Sequence, residues 1–298
     1  MSVLALLLAL LIERGLTHLF HLRELRWLDG YFDWAARVVG GGAGVRRLVG
    51  AALALLLPVL PVAALDRSLG SHLHGLPQLA FAVVVLLFSF GPRDLRDEVD
   101  DYVDALERGD RDAAARRAKE LLEADAASRG AGTRDAVEEA VFVQANNRIF
   151  GVIFWFVLLG AAGAWLFRVS DLMRRRAAFE AARRGPDVPE GAAPALLHGL
   201  LAWIPARLAA LGYALAGSFE DAIGNWRIAV DRAAEGLLDR TEDLLARVGR
   251  GSLGPSLEGL APETLDAATA RGAWRIVSRA AWIWLSAIAL LVLAGGLA

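Results

Sequence analysis

The stretch QANNRIFGVIFWFVLLGAAGAWLFRVSDLMRRR, residues Gln144 to Arg176, decides the fold class of this chain. Its central part, Ile149–Phe167, contains 19 residues and no charge. A helix needs about 20 apolar residues to cross the hydrocarbon core of a bilayer, and in lipid the backbone must satisfy its hydrogen bonds internally. The stretch therefore predicts a membrane-spanning helix with polar side chains at both ends.

Similar uncharged blocks occur at Leu48–Leu65, Ser68–Pro92 and Ala280–Ala298. The chain is 56% hydrophobic, which is above the roughly 45–50% of soluble domains. Two further stretches are weaker candidates. Ser2–Ile12 is short, and Gly191–Phe219 is interrupted by the charge of Arg207. Ser2–Ile12 has no basic leader or cleavage site, so we expect it to be retained. The blocks predict an all-α, polytopic helical integral membrane protein with four to six spans in the lipid bilayer.

The polar segments between these blocks predict the domain organisation. A helical hydrophilic domain separates two membrane regions, and turn-forming residues such as the glycine run at 40–44 mark the loops. The predicted segments are an N-terminal membrane region 1–92 with a helical hairpin at 48–92, a hydrophilic helical domain 93–148, a span plus a re-entrant or interfacial segment at 149–219, a polar helical region 220–279 and a C-terminal transmembrane helix 280–298.

Arginine bias in short loops predicts the topology. Segments 13–47 and 93–148 contain six and ten basic residues, so both are predicted to be cytoplasmic. A single span at 149–167 would place Arg174, Arg175 and Arg176 on the opposite side, against that bias. A break at the nearby glycines 160 and 163, which would let the helix re-enter, is the alternative that removes this conflict.

Several classes of chemistry are excluded by composition. The chain has no cysteine, which removes disulfides and thiolate sites. Its net charge of −2 gives no general attraction to nucleic acid, and it has no phosphate-binding loop of the G-x-x-x-x-G-K-[ST] type. Asp97 and Asp101 are spaced to share a magnesium ion, but acids at a helix start have the same pattern. We therefore predict no metal site and no nucleic-acid partner.

The polar residues that flank the central run are the strongest candidates for a ligand-binding site. Asn146, Asn147 and Arg148 offer donors and acceptors for a phosphate or carboxylate group. Arg168 and Asp171 are three residues apart and can pair on one helix face. The alternative is that these side chains only reach into the headgroup layer at the helix ends.

A second candidate is the sequence LAWIPARLAALGYALAG, residues 201–217. Pro205 interrupts a helical pattern there, and Arg207 lies in apolar surroundings, where an arginine is costly unless it has a role. Trp203 precedes both. The alternative is a half-length interfacial helix whose arginine reaches water.

These same residues resemble a known family. The segments EEAVFVQANNRIFGVIFWFVLLGAAGAWLFRVSDL (138–172) and LAWIPARLAALGYALAG (201–217) are similar to the CobD/CbiB superfamily, and specifically to its AmpE branch. The patterns that carry the resemblance are AN-x-R-x-F, FWF-x-x-LG-x-x-GA, W-x-P-x-RL and the apolar start that ends in Glu-Arg. The resemblance extends over nearly the whole chain.

The resemblance implies one of two functions. The AmpE branch consists of inner-membrane signalling modulators associated with an AmpD-type amidase in β-lactamase induction, with no cofactor. The CobD/CbiB branch consists of adenosylcobinamide-phosphate synthases, which use ATP and Mg²⁺ to form an amide. Where the enzyme branch has acids in E-N-x-x-D-G, this chain has Ala145 and Phe150. We therefore expect a non-catalytic inner-membrane protein of the AmpE type that modulates β-lactamase induction, with the synthase as the alternative.

Overall fold

The computed structural model describes residues 2–15, 25, 27–39, 44–69, 76–91, 94–126, 134–184, 192–231, 236–254 and 262–295. Within these residues the regular elements are helices, and no strand occurs. This confirms the predicted all-α fold class. The helices are α1 (Ser2–Gly15), α2 (Trp27–Val39), α3 (Val45–Leu56), α4 (Val59–Leu69), α5 (Leu76–Ser89), α6 (Leu95–Glu107), α7 (Arg111–Ala126), α8 (Arg134–Ala145), α9 (Gly151–Arg184), α10 (Ala192–Ala216), α11 (Phe219–Asp231), α12 (Leu237–Leu253) and α13 (Pro262–Leu293).

Four helical stretches of the described residues are long and apolar enough to cross a membrane. They are Val45–Leu69, Asp135–Arg183, Ala192–Ala216 and Leu265–Leu293. The chain is therefore a multi-pass protein of the inner membrane, as predicted. Helix α5 is apolar but shorter, with 14 residues.

The structure contains two compact units. The first consists of residues 1–93 and 147–202, and the second of residues 94–146 and 203–298. In the first unit, α9 packs against α4 and α5, and α1 packs against α5. In the second unit, α6, α8 and α12 pack against α13, and α11 packs against α12. The five predicted sequence segments stay a prediction.

Small residues allow close packing in the second unit. Gly249 lies directly against the ring of Phe142, and Gly217 lies against the carbonyl group of Ser252. Tyr213, which is fully buried, donates its hydroxyl proton to the Phe142 carbonyl over 2.9 Å. These contacts fix α8 against α12, and the end of α10 against both.

Pro58 interrupts the first candidate span, Val45–Leu69. Helix α3 ends at Leu56 and α4 begins at Val59, with a turn between them. Pro58 has no N–H to donate to the carbonyl of Ala54, four residues earlier. The hydroxyl of Tyr31 donates to that carbonyl instead, over 2.7 Å. A neighbouring side chain thus satisfies a backbone acceptor that lipid cannot satisfy.

The same solution recurs in α10, which contains Pro205 in its interior. Pro205 leaves the carbonyl of Leu201 without its helical donor. The indole Nε1–H of Trp155 donates to this carbonyl over 3.0 Å. The proline and the tryptophan, 50 positions apart in the sequence, are therefore parts of one hydrogen-bonding arrangement.

Replacing Trp155 with phenylalanine should lower the free energy of unfolding by about 1–2 kcal/mol, because it leaves the half-buried carbonyl of Leu201 without its side-chain donor. The loss should shrink below about 0.5 kcal/mol in a Pro205→Ala background, where the helix again supplies an N–H. Denaturant unfolding of the purified protein in detergent measures both values. The control is Trp282→Phe, since Trp282 is 65% exposed. An equal loss in both backgrounds would contradict this pairing.

Helix α9 is divided at Gly160. This residue has φ 68° and ψ −154°, a conformation open mainly to glycine. A Cβ placed on Gly163 would collide with the carbonyl oxygen of Trp155, eight residues earlier. In a straight helix these residues would be about 12 Å apart. The chain therefore folds back at Gly160, which confirms the predicted break, and we call residues 147–171 the α9 hairpin.

Candidate functional site

A buried cluster of charged side chains forms where the second arm of the α9 hairpin continues into the rest of α9. Asp171 is fully buried and contacts three guanidinium groups: Arg168 Nη1 at 3.3 Å, Arg174 Nη2 at 3.1 Å and Arg175 Nη2 at 2.8 Å. Spacings of three and four residues place all four side chains on one face of the helix. The Arg168–Asp171 pair predicted from sequence is confirmed. We call these four residues the arginine cluster.

His198 of α10 joins the arginine cluster to the entrance of the hairpin. Its Nδ1 lies 3.0 Å from Ser170 Oγ, and its Nε2 lies 3.4 Å from Asn147 Oδ1. The Nε2 atom is also 3.9 Å from Asp171 Oδ1. The imidazole is fully buried against the ring of Phe167. His198 therefore bridges the two arms, since Asn147 precedes the first and Ser170 lies on the second.

The hydrogen bonds indicate which nitrogen of a neutral His198 is protonated. Ser170 Oγ lies 2.7 Å from the Phe167 carbonyl, and its single hydroxyl proton is donated there. Ser170 Oγ then accepts a hydrogen bond from Nδ1–H of His198. On the other side of the ring, Asn147 Oδ1 lies nearest Nε2, and turning this amide by 180° would present its NH₂ group to the Nε2 lone pair. The histidine is thus held by a donor on one side and an acceptor on the other.

Contacts at the two ends of the α9 hairpin show how it lies along α5 within the first unit. At the closed end, a Cβ on Gly160 would lie 3.2 Å from Asp66 Oδ2, and Asp66 accepts a hydrogen bond from Gln78. At the open end, a Cβ on Gly91 would lie 3.4 Å from Arg168 Nη2. Because α5 runs from Gln78 towards Gly91, the arginine cluster lies at the Gly91 end of this helix. A hairpin that returns its arginines to that end agrees with the arginine bias, and the membrane topology stays a prediction.

The other polar residues of the hairpin entrance lie in a short π-helix, Asn146–Phe150. Such π-turns often occur at functional sites. Arg148 is 7% exposed and Asn146 is fully buried. Asn147 and Arg148 belong to the first unit, whereas Asn146 belongs to the second. Of the predicted site residues, the structure thus brings Asn147, Arg168 and Asp171 together, and their role in ligand binding stays a prediction.

Trp203, Pro205 and Arg207 lie in the second unit. The Arg207 guanidinium stacks over the Trp203 ring at 4.0 Å from its centroid, and Nη1 donates to the Trp203 carbonyl over 3.0 Å. This arrangement shields the charge of Arg207 through a cation–π contact. A ligand-binding role for these three residues also stays a prediction.

The sequence reasoning missed four members of the site, namely Ser170, Arg174, Arg175 and His198. Arg174 and Arg175 could have been found, because their spacing from Asp171 matches one helix face. His198 gave no signal, since its partners lie 28 and 51 positions away in the sequence.

The acidic start of α6 has the geometry of a helix N-terminus. Asp94 caps the helix by accepting a hydrogen bond from the backbone N–H of Arg96. Burial raises the pKa of Asp97, and the nearby carboxylates, Asp101 among them, raise it further. Asp101 lies 3.5 Å from the guanidinium of Arg117. Within the described part of the chain, no group of three or more His, Cys, Asp or Glu side chains is placed to hold a metal ion.

The donors of the arginine cluster suit an anion. Guanidinium groups bind carboxylate and phosphate oxygens through paired, charge-assisted hydrogen bonds. Because Arg168 and Arg174 are 3% and 5% exposed, their field acts in a medium of low dielectric constant, where such contacts are stronger than in water. In this structure the carboxylate of Asp171 is the anion that the three guanidinium groups hold, and a role in holding a ligand stays a prediction.

Comparison with known proteins identifies the family. Residues 4–236 match the model of the CobD/Cbib protein family. Cobalamin biosynthesis protein CobD of Stutzerimonas stutzeri is 33% identical over 172 residues, which are 57% of this chain and 55% of that relative. Cobalamin biosynthesis protein CobD of Chromobacterium violaceum is 29% identical over 258 residues, or 78% of this chain and 76% of that relative. The match thus spans about half the length of the first relative. No solved structure matches the chain.

These relatives correct the functional prediction. Both are named for cobalamin biosynthesis, so the predicted AmpE-type role in β-lactamase induction is wrong. The prediction gave too much weight to the two positions, Ala145 and Phe150, that lack acids. The family model covers well over half of the residues, and the chain therefore belongs to the CobD/Cbib protein family.

Proposed function

We propose that the protein is an adenosylcobinamide-phosphate synthase, an amide-forming ligase of cobalamin biosynthesis. The observation that carries this proposal is the family match over residues 4–236, together with two relatives named for that pathway. The buried arginine cluster supports it, because the reaction joins a carboxylic acid to an amine at the expense of ATP. Both the acid and ATP are anions that guanidinium groups can hold.

The chemistry of amide formation defines what the cluster has to do. A carboxylate must first be activated, which a phosphoryl group from ATP achieves by forming an acyl phosphate. The amine then attacks the carbonyl carbon, and phosphate leaves. Charge develops on oxygen atoms in both steps, and fixed cationic donors stabilise such charge most effectively when they are already oriented. Asp171 orients three guanidinium groups in this way.

The cluster does not fit Mg²⁺, the ion that the resemblance implies for this reaction. Magnesium takes oxygen ligands, but both carboxylate oxygens of Asp171 are engaged by arginine side chains. Ala145 and Phe150, which stand where the enzyme branch has acids, are both fully buried. Those two positions supply neither a ligand nor a base. We therefore assign to this chain the binding and orientation of anions, and no step that passes through the metal.

Complementation tests the function. The gene is expressed in a bacterial strain that lacks its own adenosylcobinamide-phosphate synthase and depends on cobamide synthesis for growth. We expect growth without supplied cobinamide, with a working synthase as the positive control. Absence of growth, when membrane expression is confirmed, would overturn the proposed function.

A charge change within the cluster tests the role of the arginines. Arg175→Gln should reduce product formation at least tenfold, because it removes one charge-assisted donor from the anion site. Membranes that contain the protein are supplied with adenosylcobyric acid, the amine and ATP, and the amide product is measured by mass spectrometry. The matched control is Arg183→Gln, whose side chain is 66% exposed. Equal activity of the two variants would show that the cluster does not bind substrate.

A further inference from the structure

Helix α2 presents an exposed aromatic face that the proposed function does not use. Trp27, Tyr31, Trp34 and Val38 are spaced by four, three and four residues, which places them in one row along the helix. Trp27, Trp34 and Val38 are 65%, 50% and 65% exposed, and Tyr31 is half-buried. We call these four residues the aromatic row. So many large apolar side chains on one exposed face indicate a surface for a partner.

Two other sides of α2 are already held by the first unit. Leu28, Phe32 and Ala35 form its buried side. On a further side, Asp33 accepts two parallel hydrogen bonds from Arg176 of α9, from Nε over 2.8 Å and from Nη2 over 2.7 Å. The aromatic row is therefore the side of α2 that is left for a partner outside the chain.

Tyr31 shows the level at which the aromatic row lies. Its hydroxyl group donates to the carbonyl of Ala54, which belongs to the candidate span Val45–Leu69. Ala54 comes seven residues after Arg47, and no charged residue occurs between them. Seven residues correspond to about 10 Å of helix, and amphipathic helices on a membrane bury their apolar face by about 5–10 Å. The row thus faces the outer part of the hydrocarbon core.

The surroundings of the aromatic row favour lipid as the partner. Leu53, which precedes Ala54 in the span, is 63% exposed, so the protein surface at this level is one that faces lipid. Tryptophan and tyrosine are enriched where the hydrocarbon core meets the headgroups. Helix α2 has 13 residues, or about 20 Å, which is too short to cross a core of about 30 Å. A short helix with an apolar row and a charged side fits the plane of the interface.

We propose that α2 is an in-plane membrane anchor, with the aromatic row inserted among the lipids at the boundary between headgroups and acyl chains. The free energy of this contact comes from burying large apolar side chains, and it requires no particular headgroup. Lipid then holds α2 from one side while Arg176 holds it from another through Asp33. The anchor would stand even if the proposed synthase activity were absent.

The absence of cysteine from the chain allows a direct test with spin labels. Val38→Cys, in the aromatic row, and Asp29→Cys, its control on the charged side of the same helix, are each labelled in the full chain. The protein is placed in liposomes of phosphatidylcholine and phosphatidylglycerol, and electron paramagnetic resonance measures collisions with oxygen and with a water-soluble nickel chelate. We expect the oxygen-to-nickel ratio to be higher at 38 than at 29 by about threefold or more, because oxygen concentrates in lipid. Both replaced side chains are exposed, so neither exchange removes a packed residue.

A second variant tests whether the tryptophans hold the helix in lipid. In a Trp27→Ser, Trp34→Ser background, the ratio at position 38 should fall towards the value at position 29. The matched background is Trp282→Ser, which removes an equally exposed tryptophan from α13 and should leave the ratio unchanged.

Two outcomes would overturn the proposal. Equal ratios at positions 38 and 29 would mean that the aromatic row lies in water. Low collision rates with both reagents at position 38, together with dipolar broadening between labels, would mean that a second copy of the chain covers the row.

Discussion

Replacing Asp171 with alanine should lower the free energy of unfolding by about 3–5 kcal/mol, because removing one partner of a buried ion pair leaves the other charge buried. Asp171 contacts Arg168, Arg174 and Arg175, and two of these arginines are almost fully buried. Their guanidinium groups cannot lose their charge by deprotonation. The variant must therefore admit water, move the arginines or unfold.

Unfolding in detergent, followed by tryptophan fluorescence, measures this loss. Asp171→Asn should be less damaging than alanine, because the amide keeps an oxygen acceptor and the shape of the side chain. Asp101→Ala is the control, since its ion pair with Arg117 is exposed and such pairs contribute only about 0–1 kcal/mol. If Asp171→Ala and Asp101→Ala were equally stable, the arginine cluster would not be a structural centre of the first unit.

Replacing Gly163 with alanine should destabilise the protein by about 1–3 kcal/mol or more, because overpacking forces the backbone to move. The added Cβ would collide with the backbone carbonyl of Trp155, and it would lie 2.7 Å from the Cβ of Leu159. Neither is the flexible end of a side chain. The two arms of the α9 hairpin must then separate, which also pulls Asn147 away from His198.

Gly30→Ala is the matched control for this change. A Cβ on Gly30 meets nothing within 4 Å, and Gly30 lies in a helix. Alanine should stabilise that position by up to about 1 kcal/mol, since it is the better helix former. Opposite signs for the two glycines in thermal unfolding are the expected result. A neutral Gly163→Ala variant would show that the arms are not in backbone contact.

The fold class could be predicted from the sequence because the bilayer imposes a simple rule. A long uncharged block must be helical in lipid, and Ile149–Phe167 follows that rule whatever it packs against. The break at Gly160 was predictable for a similar reason, since arginines beside a span prefer the cytoplasmic side. Hydropathy does not show, however, whether the chain continues across the membrane or turns back after Gly160. The Trp155–Gly163 contact, and the bridge that His198 makes between Asn147 and Ser170, show that the helix folds back.

The site could be predicted only where its members are close in sequence. Arg168 and Asp171 share one helix face, so their pairing follows from helical geometry alone. His198 reaches Asn147 and Ser170 through tertiary packing, which no local pattern encodes. The functional prediction failed for a different reason. Apolar residues at 145 and 150 show which chemistry those two positions lack, and they leave open what the other residues bind.

The bend at Gly160 also constrains how the protein is made. The uncharged residues before it, 149–159, form about 16 Å of helix, roughly half the thickness of the hydrocarbon core. A segment that ends at such a depth would leave backbone groups exposed to lipid. The first arm is therefore stable in the membrane only when the second arm packs against it, and we expect the two arms to insert as a pair.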